Sequence, residues 1–348
     1  MDGEMKRLLI LTMAVLAGVG SPALSQVQSE GQVQGQIQGQ IQGQIQGQIH
    51  GRWETAARLD APRAGLGVAV IGDHIYAAGG AGLTQPRDEF ESYDAEIDRW
   101  FGETPLPRGL ERFGIAALNG RVYAAGGFAM GGFDPENEAV GPSAKMWSWS
   151  PEGGVWQSEV AMPEARADFS LLTLDGHLYA VGGLLNETSL FIFDPDEKAW
   201  DTIDVPDGVT RRAAASVVAD NRIYIIGGIT GGTTSARVDI YDPQTDHWSR
   251  GPDLPDARSG VAAAFTAGRL HIFGGRGADQ RTTLTSHSTL QPGNAQWQAA
   301  TDLPSPRTGA AAAVLDNGIY IIGGGSGGGF FAPFTALDST EIFVDESS

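Results

Sequence analysis

An arginine stands sixteen residues ahead of a glycine pair at five places in this 348-residue chain: Arg63, Arg166, Arg211, Arg258 and Arg307. A sixth glycine pair has Leu110 at the same offset, flanked by Arg108 and Arg112. The guanidinium is a planar fork of donors that fits carboxylates, phosphates and sugar acids. If the loops that carry these residues gather on one face, then Arg63, Arg112, Arg166, Arg211, Arg258 and Arg307 would ring a mouth suited to an anionic ligand. The competing role is architectural. The same arginines could cap sheet ends by bonding main-chain carbonyls or nearby acids, and Glu111, Glu164 and Asp256 lie close in sequence. Two glycine-rich stretches add large apolar side chains: Phe128, Met130 and Phe133 in one, and Phe330, Phe331 and Phe334 in the other. Apolar rings on such loops fold back over a channel, plug it, or meet a partner. Phe330 and Phe331 therefore join the candidate ligand-binding residues.

Other chemistries find little support. The chain has no cysteine, so thiolate metal sites, disulfides and a cysteine-crosslinked tyrosine are impossible. Its six histidines (His50, His74, His177, His247, His271 and His287) show no ligand spacing, and no metal or other cofactor is expected. There is no Gly-x-Ser-x-Gly elbow. The run Gly323-Gly324-Gly325 lacks the lysine of a phosphate-binding loop. Two carboxylates stand close to arginines in sequence, Glu111 with Arg112 and Asp256 with Arg258.

The elements that must position these residues repeat six times. Glycine pairs occur at Gly79-Gly80, Gly126-Gly127, Gly182-Gly183, Gly227-Gly228, Gly274-Gly275 and Gly323-Gly324. Three residues before each pair lies Tyr76, Tyr123, Tyr179, Tyr224, His271 or Tyr320, and a tryptophan follows each of the first five pairs. A period near 50 with these marks predicts an all-β, six-bladed propeller with four strands per blade. In the fourth repeat the strands are expected at 213–218, 223–226, 238–242 and 247–250. The sixth repeat ends before its tryptophan, whereas Trp53 precedes the first glycine pair by 26 residues. Trp53 is thus expected to complete the last blade beside Phe343, pairing the two ends of the domain and hiding two strand edges.

The glycine pair, the upstream tyrosine, the tryptophan and turns such as Tyr241-Asp242-Pro243 and Phe193-Asp194-Pro195 resemble the kelch repeat across residues 52–348. The fifth repeat departs, with His271 for the tyrosine and Leu290-Gln291-Pro292 at the turn. The resemblance implies a propeller whose tyrosines, tryptophans and glycines are architecture. It implies a binding module for a protein segment or acidic small ligand. It also implies an alternative, because exported bacterial kelch proteins include sialic-acid mutarotases, in whose acid–base chemistry on a sugar acid Glu111 with Arg112, or Asp256 with Arg258, could be cast. Arginine at the sixteen-residue offset is itself part of the general kelch pattern, which keeps the architectural role open.

Residues 1–25 read as a secretory signal: Lys6 and Arg7, the apolar stretch 8–19, and a cleavage site at Ala23-Leu24-Ser25. Residues 26–51, built on Gly-Gln-Ile/Val-Gln, read as a flexible spacer. A periplasmic or secreted monomer without a membrane span is expected, with a protein or acidic glycan as ligand. The net charge of −19 argues against nucleic-acid partners.

Overall fold

The computed structural model describes residues 50–82, 85–129, 141–183, 189–327 and 335–346. Six four-stranded antiparallel sheets form a β-propeller. The fourth blade shows the pattern. Ala215–Ala219 lies innermost, Arg222–Ile226 and Val238–Asp242 follow, and His247–Arg250 is outermost. Its inner strand starts two residues later than expected, because Ala213 bends through a left-handed conformation (φ 52°) before the strand begins. A two-stranded ribbon, Ile229–Thr230 with Thr233–Thr234, extends from this blade.

The ring closes as expected. Gly51–Ala56 pairs antiparallel with Thr340–Asp345, and Trp53 lies opposite Phe343 with ring centroids 5.3 Å apart. Gly51, assigned to the spacer from sequence, is already in the strand, opposite Asp345.

Five of the six repeat tryptophans stitch neighbouring blades, whereas the indole N–H of Trp248 has no acceptor. Trp100, Trp156, Trp200 and Trp297 donate their indole N–H to the carbonyls of Ala57, Thr104, Val160 and Pro252, at 2.9–3.1 Å. Trp53 does the same at the seam, to Thr301 O at 3.4 Å.

The glycine pairs have a specific cause. Both members hold positive φ in every blade. A Cβ on the first glycine would stand closer than 3.0 Å to a carbonyl oxygen of the next blade. That carbonyl belongs to Leu110, Arg166, Arg211, Arg258, Arg307 and Arg63 in turn, the residue at the sixteen-residue offset. It accepts the N–H of the second glycine, from Gly80 to Leu110 (2.8 Å) round to Gly324 to Arg63 (3.0 Å). The pair therefore lets the backbones of adjacent blades approach to hydrogen-bonding distance, which a side chain would prevent.

Candidate functional site

The loops leading into the inner strands and those leaving the second strands do meet on one face. They pair through bridges such as Ala64 with Ala81, Glu111 with Phe128, Arg212 with Ile229, and Ser259 with Arg276. The five offset arginines, however, do not face the mouth, which corrects the expectation of a ligand-binding ring. Arg63 is 0% exposed, and Arg166, Arg211, Arg258 and Arg307 are equally sealed. Each donates to partners inside the protein, although Nε of Arg63, Arg166, Arg258 and Arg307 has no acceptor. Arg63 pairs with Glu91 and donates to Glu89 O. Arg166 bonds Ala180 O and Ser189 O and lies over the Phe191 ring. Arg211 holds Asp239 at 2.7 Å and Ile225 O at 3.0 Å. Arg258 reaches Ser286 Oγ at 2.9 Å, and Arg307 reaches Glu341 at 2.7 Å. Burial pushes all five guanidinium pKa values down, that of Arg166 to about 10. Leu110 occupies the same slot at 0% exposure, as suits an interior position. The physical reason is geometric. The carbonyl at this position faces the preceding blade's glycine pair, while the side chain runs back into its own blade.

The mouth is built one and two residues further on. The second residue after the offset position is left-handed in all six repeats: Gly65, Arg112, Asp168, Ala213, Gly260 and Gly309, with φ between 52° and 66°. Their main chains form a closed ring of hydrogen bonds. Each N–H donates to the carbonyl of the preceding blade's member, at 2.8–3.0 Å, from Arg112 to Gly65 round to Gly65 to Gly309. Glycine takes this conformation freely, whereas a side chain costs about 1–2 kcal/mol. Three blades use glycine, yet two substitute charged residues, Arg112 and Asp168. Strained residues of this kind concentrate at binding and catalytic sites.

These two residues line an axial cavity of about 170 Å³, together with Glu111, Arg212, Arg276 and Gln280. Arg112 is 44% exposed and stands 3.5 Å from Asp168, whose side chain is 7% exposed. That distance exceeds a normal hydrogen bond, and Asp168 Oδ2 accepts none from the protein. Arg276 Nε likewise has no acceptor, and burial pushes the Arg276 pKa down. Burial raises the Glu111 carboxyl, and the Arg112 guanidinium opposes that shift. Among the described residues that line it, three arginines against two carboxylates leave one surplus positive charge in a strongly acidic protein. Below the ring the lumen turns apolar, with Val68, Ile115, Leu172, Val217, Phe265 and Val314 among its walls.

Of the expected ligand residues, Arg112 stands in the mouth, while Phe330 and Phe331 lie outside the described residues, as do Met130, Phe133 and Phe334. Glu111 and Arg112 share the cavity. Asp256 and Arg258 do not form an accessible pair, since Arg258 is buried. Among the described residues no three His, Asp or Glu side chains form a metal-holding group. Asp168, Arg212 and Arg276 were missed as site residues. One signal was available: aligning the repeats with one another gives Gly, Arg, Asp, Ala, Gly, Gly at the ring position, so that charge replaces glycine twice.

Comparison with known proteins follows the same lines. Residues 213–343 match the KLHDC2/KLHL20/DRC7 Kelch-repeats domain, and residues 62–107 match the Kelch motif. Kelch-like protein 35 of Mus musculus is 28% identical over 230 residues, which is 65% of this chain and 37% of that protein. Beta-scruin of Limulus polyphemus is 25% identical over 223 residues, 61% of this chain and 24% of that protein. The chain spans well under half the length of these curated relatives. A solved structure titled "Structure of YjhT" superposes with a TM-score of 0.70 at 17% identity, covering 83% of this chain and 97% of that one. At that identity the likeness is one of fold.

Proposed function

The chain belongs to the kelch-repeat family, and we propose that its propeller is a binding module that holds an anionic ligand at the axial mouth. Kelch repeats commonly mediate protein interactions, so an acidic protein segment is one natural ligand, and an acidic glycan or other small acid is another. The observation that carries the reading is the convergence of Arg112, Arg212 and Arg276 on one small cavity with a surplus positive charge. Charge-assisted bonds to partly desolvated guanidinium groups are worth about 1.5–3 kcal/mol each. In this reading residues 1–25 direct export, and the module works in the periplasm or outside the cell.

Calorimetric titration of acidic peptides and small carboxylic acids tests it. Arg212→Ala/Arg276→Ala should weaken binding at least tenfold without shifting the melting temperature. Affinity should also fall as salt rises. Binding that survives the double substitution would refute this site.

A second reading is favoured by Glu111. Its raised carboxyl sits beside Arg112 in the cavity, as a proton-transferring group beside an anion holder would in the mutarotation of a sugar acid. Anomer exchange of a sugar acid, followed by NMR with and without the protein, separates the two readings. Catalysis abolished by Glu111→Gln would establish the enzyme.

A further inference from the structure

Two buried polar atoms at the mouth are left open, and they are opposite in kind. Asp168 Oδ2 accepts no hydrogen bond, its ion-pair partner Arg112 Nη1 standing 3.5 Å away, and Arg276 Nε is a donor with no acceptor. Both residues line the same cavity. Nε of Arg63, Arg166, Arg258 and Arg307 is unpaired as well, but those side chains turn into their blades, whereas Asp168 and Arg276 face the cavity, where an open polar atom asks for a specific explanation. Asp168 is also held in a left-handed conformation that three other blades give to glycine. The chain therefore accepts backbone strain to place a carboxylate where a plain anion site would exclude one. An anion alone would be attracted by Arg112, Arg212 and Arg276 but repelled by Asp168. A ligand that also offers an N–H or O–H would meet both open atoms, and a net charge of one minus would cancel the surplus charge of the mouth.

We propose that the mouth selects a monoanion carrying a hydrogen-bond donor beside its carboxylate, with Asp168 accepting that donor and Arg276 donating to the carboxylate. Asp168 is then the specificity-determining residue of the site. The inference rests on the mouth being the anion site argued above. The shared chemistry could come from a 2-hydroxy acid or from an N-acylated amino acid, whose amide N–H adjoins its carboxylate.

Three probes test it against the full chain: lactate, N-acetylglycine and propionate, the last having no donor. The wild-type protein should bind at least one donor-bearing acid about tenfold or more tightly than propionate, the scale of one hydrogen bond to a charged group. Asp168→Gly should erase that preference while leaving propionate binding equal or tighter. Its fold is protected because glycine suits this backbone, and a thermal melt verifies that. Which donor-bearing probe wins identifies the source. Propionate binding as well as both donors would overturn the selectivity while leaving the anion site standing. No binding by any probe would overturn both. A preference that survives Asp168→Gly would overturn the role of Asp168.

Discussion

The seam where the ring closes should be sensitive to acid. His271 Nδ1 lies 3.0 Å from His287 Nε2, and His287 Nδ1 lies 3.1 Å from Thr301 O. His287 therefore donates from Nδ1 to that carbonyl and accepts at Nε2 from His271 Nδ1–H. His271 Nε2 is buried without a partner. The pair is walled by Phe273 and Phe343, and Trp53 of the closing strand packs on both phenylalanines. A proton added at His287 Nε2 would set N–H against N–H and bury a charge among aromatic rings. Burial accordingly lowers the pKa values to about 4 for His271 and about 3 for His287. Charges around the pair partly cancel. Asp345 favours the His271 proton, whereas Arg269 opposes it, and Arg258 opposes the His287 proton. Asp302 accepts the His287 main-chain N–H at 3.3 Å. Because the folded values are depressed, the unfolded chain binds more protons below its own value near 6.5. Stability is thus fully present above about pH 6.5 and is lost as the pH falls toward the folded values. Two such histidines remove about 4–5 kcal/mol between about pH 6.5 and 4.5, a large part of a typical domain's stability. Glu91, Glu111 and Glu341, whose carboxyls are raised by burial, work in the opposite direction. The histidine contribution is therefore isolated by comparing the wild type with His271→Phe/His287→Phe. Urea unfolding, followed by tryptophan fluorescence across this range, should show the variant gaining on the wild type as the pH falls. Repacking strain would shift the variant by a constant amount and leave the slope readable. A stability difference that does not change with pH would refute the argument.

Starting the chain at Glu54 should remove Trp53 and its bond to Thr301, and so abolish cooperative unfolding in a thermal melt. A sharp transition like that of the full domain would contradict the closure. Arg211→Met should cost about 1–3 kcal/mol in urea unfolding, because the buried carbonyls of Gly227 and Ile225 lose its donors, while Asp239 keeps its pairing with Arg237. Loss of ligand binding without loss of stability would instead return this arginine to the mouth. Ala213→Gly should raise stability by about 0.5–1 kcal/mol, left-handed strain relieved less the added chain entropy, and leave binding unchanged. Arg112→Gly should weaken anion binding in calorimetry without a comparable gain in stability, since the left-handed strain it relieves is offset by loss of the charge facing Asp168 and Glu111.

The architecture was legible in the sequence because each repeat is a local unit marked by residues with few substitutes. Glycine pairs stand where backbones touch. Aromatics fill the wedge between blades, and Trp53 was conspicuous as the tryptophan that the sixth repeat lacked. Direction and depth of side chains were not legible. The sixteen-residue spacing of the arginines recorded a real ring, but it is a ring of carbonyls facing the neighbouring glycines, with the guanidinium groups turned inward to blade carbonyls and acids. Spacing alone cannot say which end of a residue meets the axis. The candidate site depends on contacts between blades far apart in sequence. Asp168 and Arg276 are more than a hundred residues apart and meet at one cavity only because the propeller closes. Tertiary structure also exposed the strain at Arg112 and Asp168, since a left-handed φ becomes visible only once six main chains are bonded around the axis.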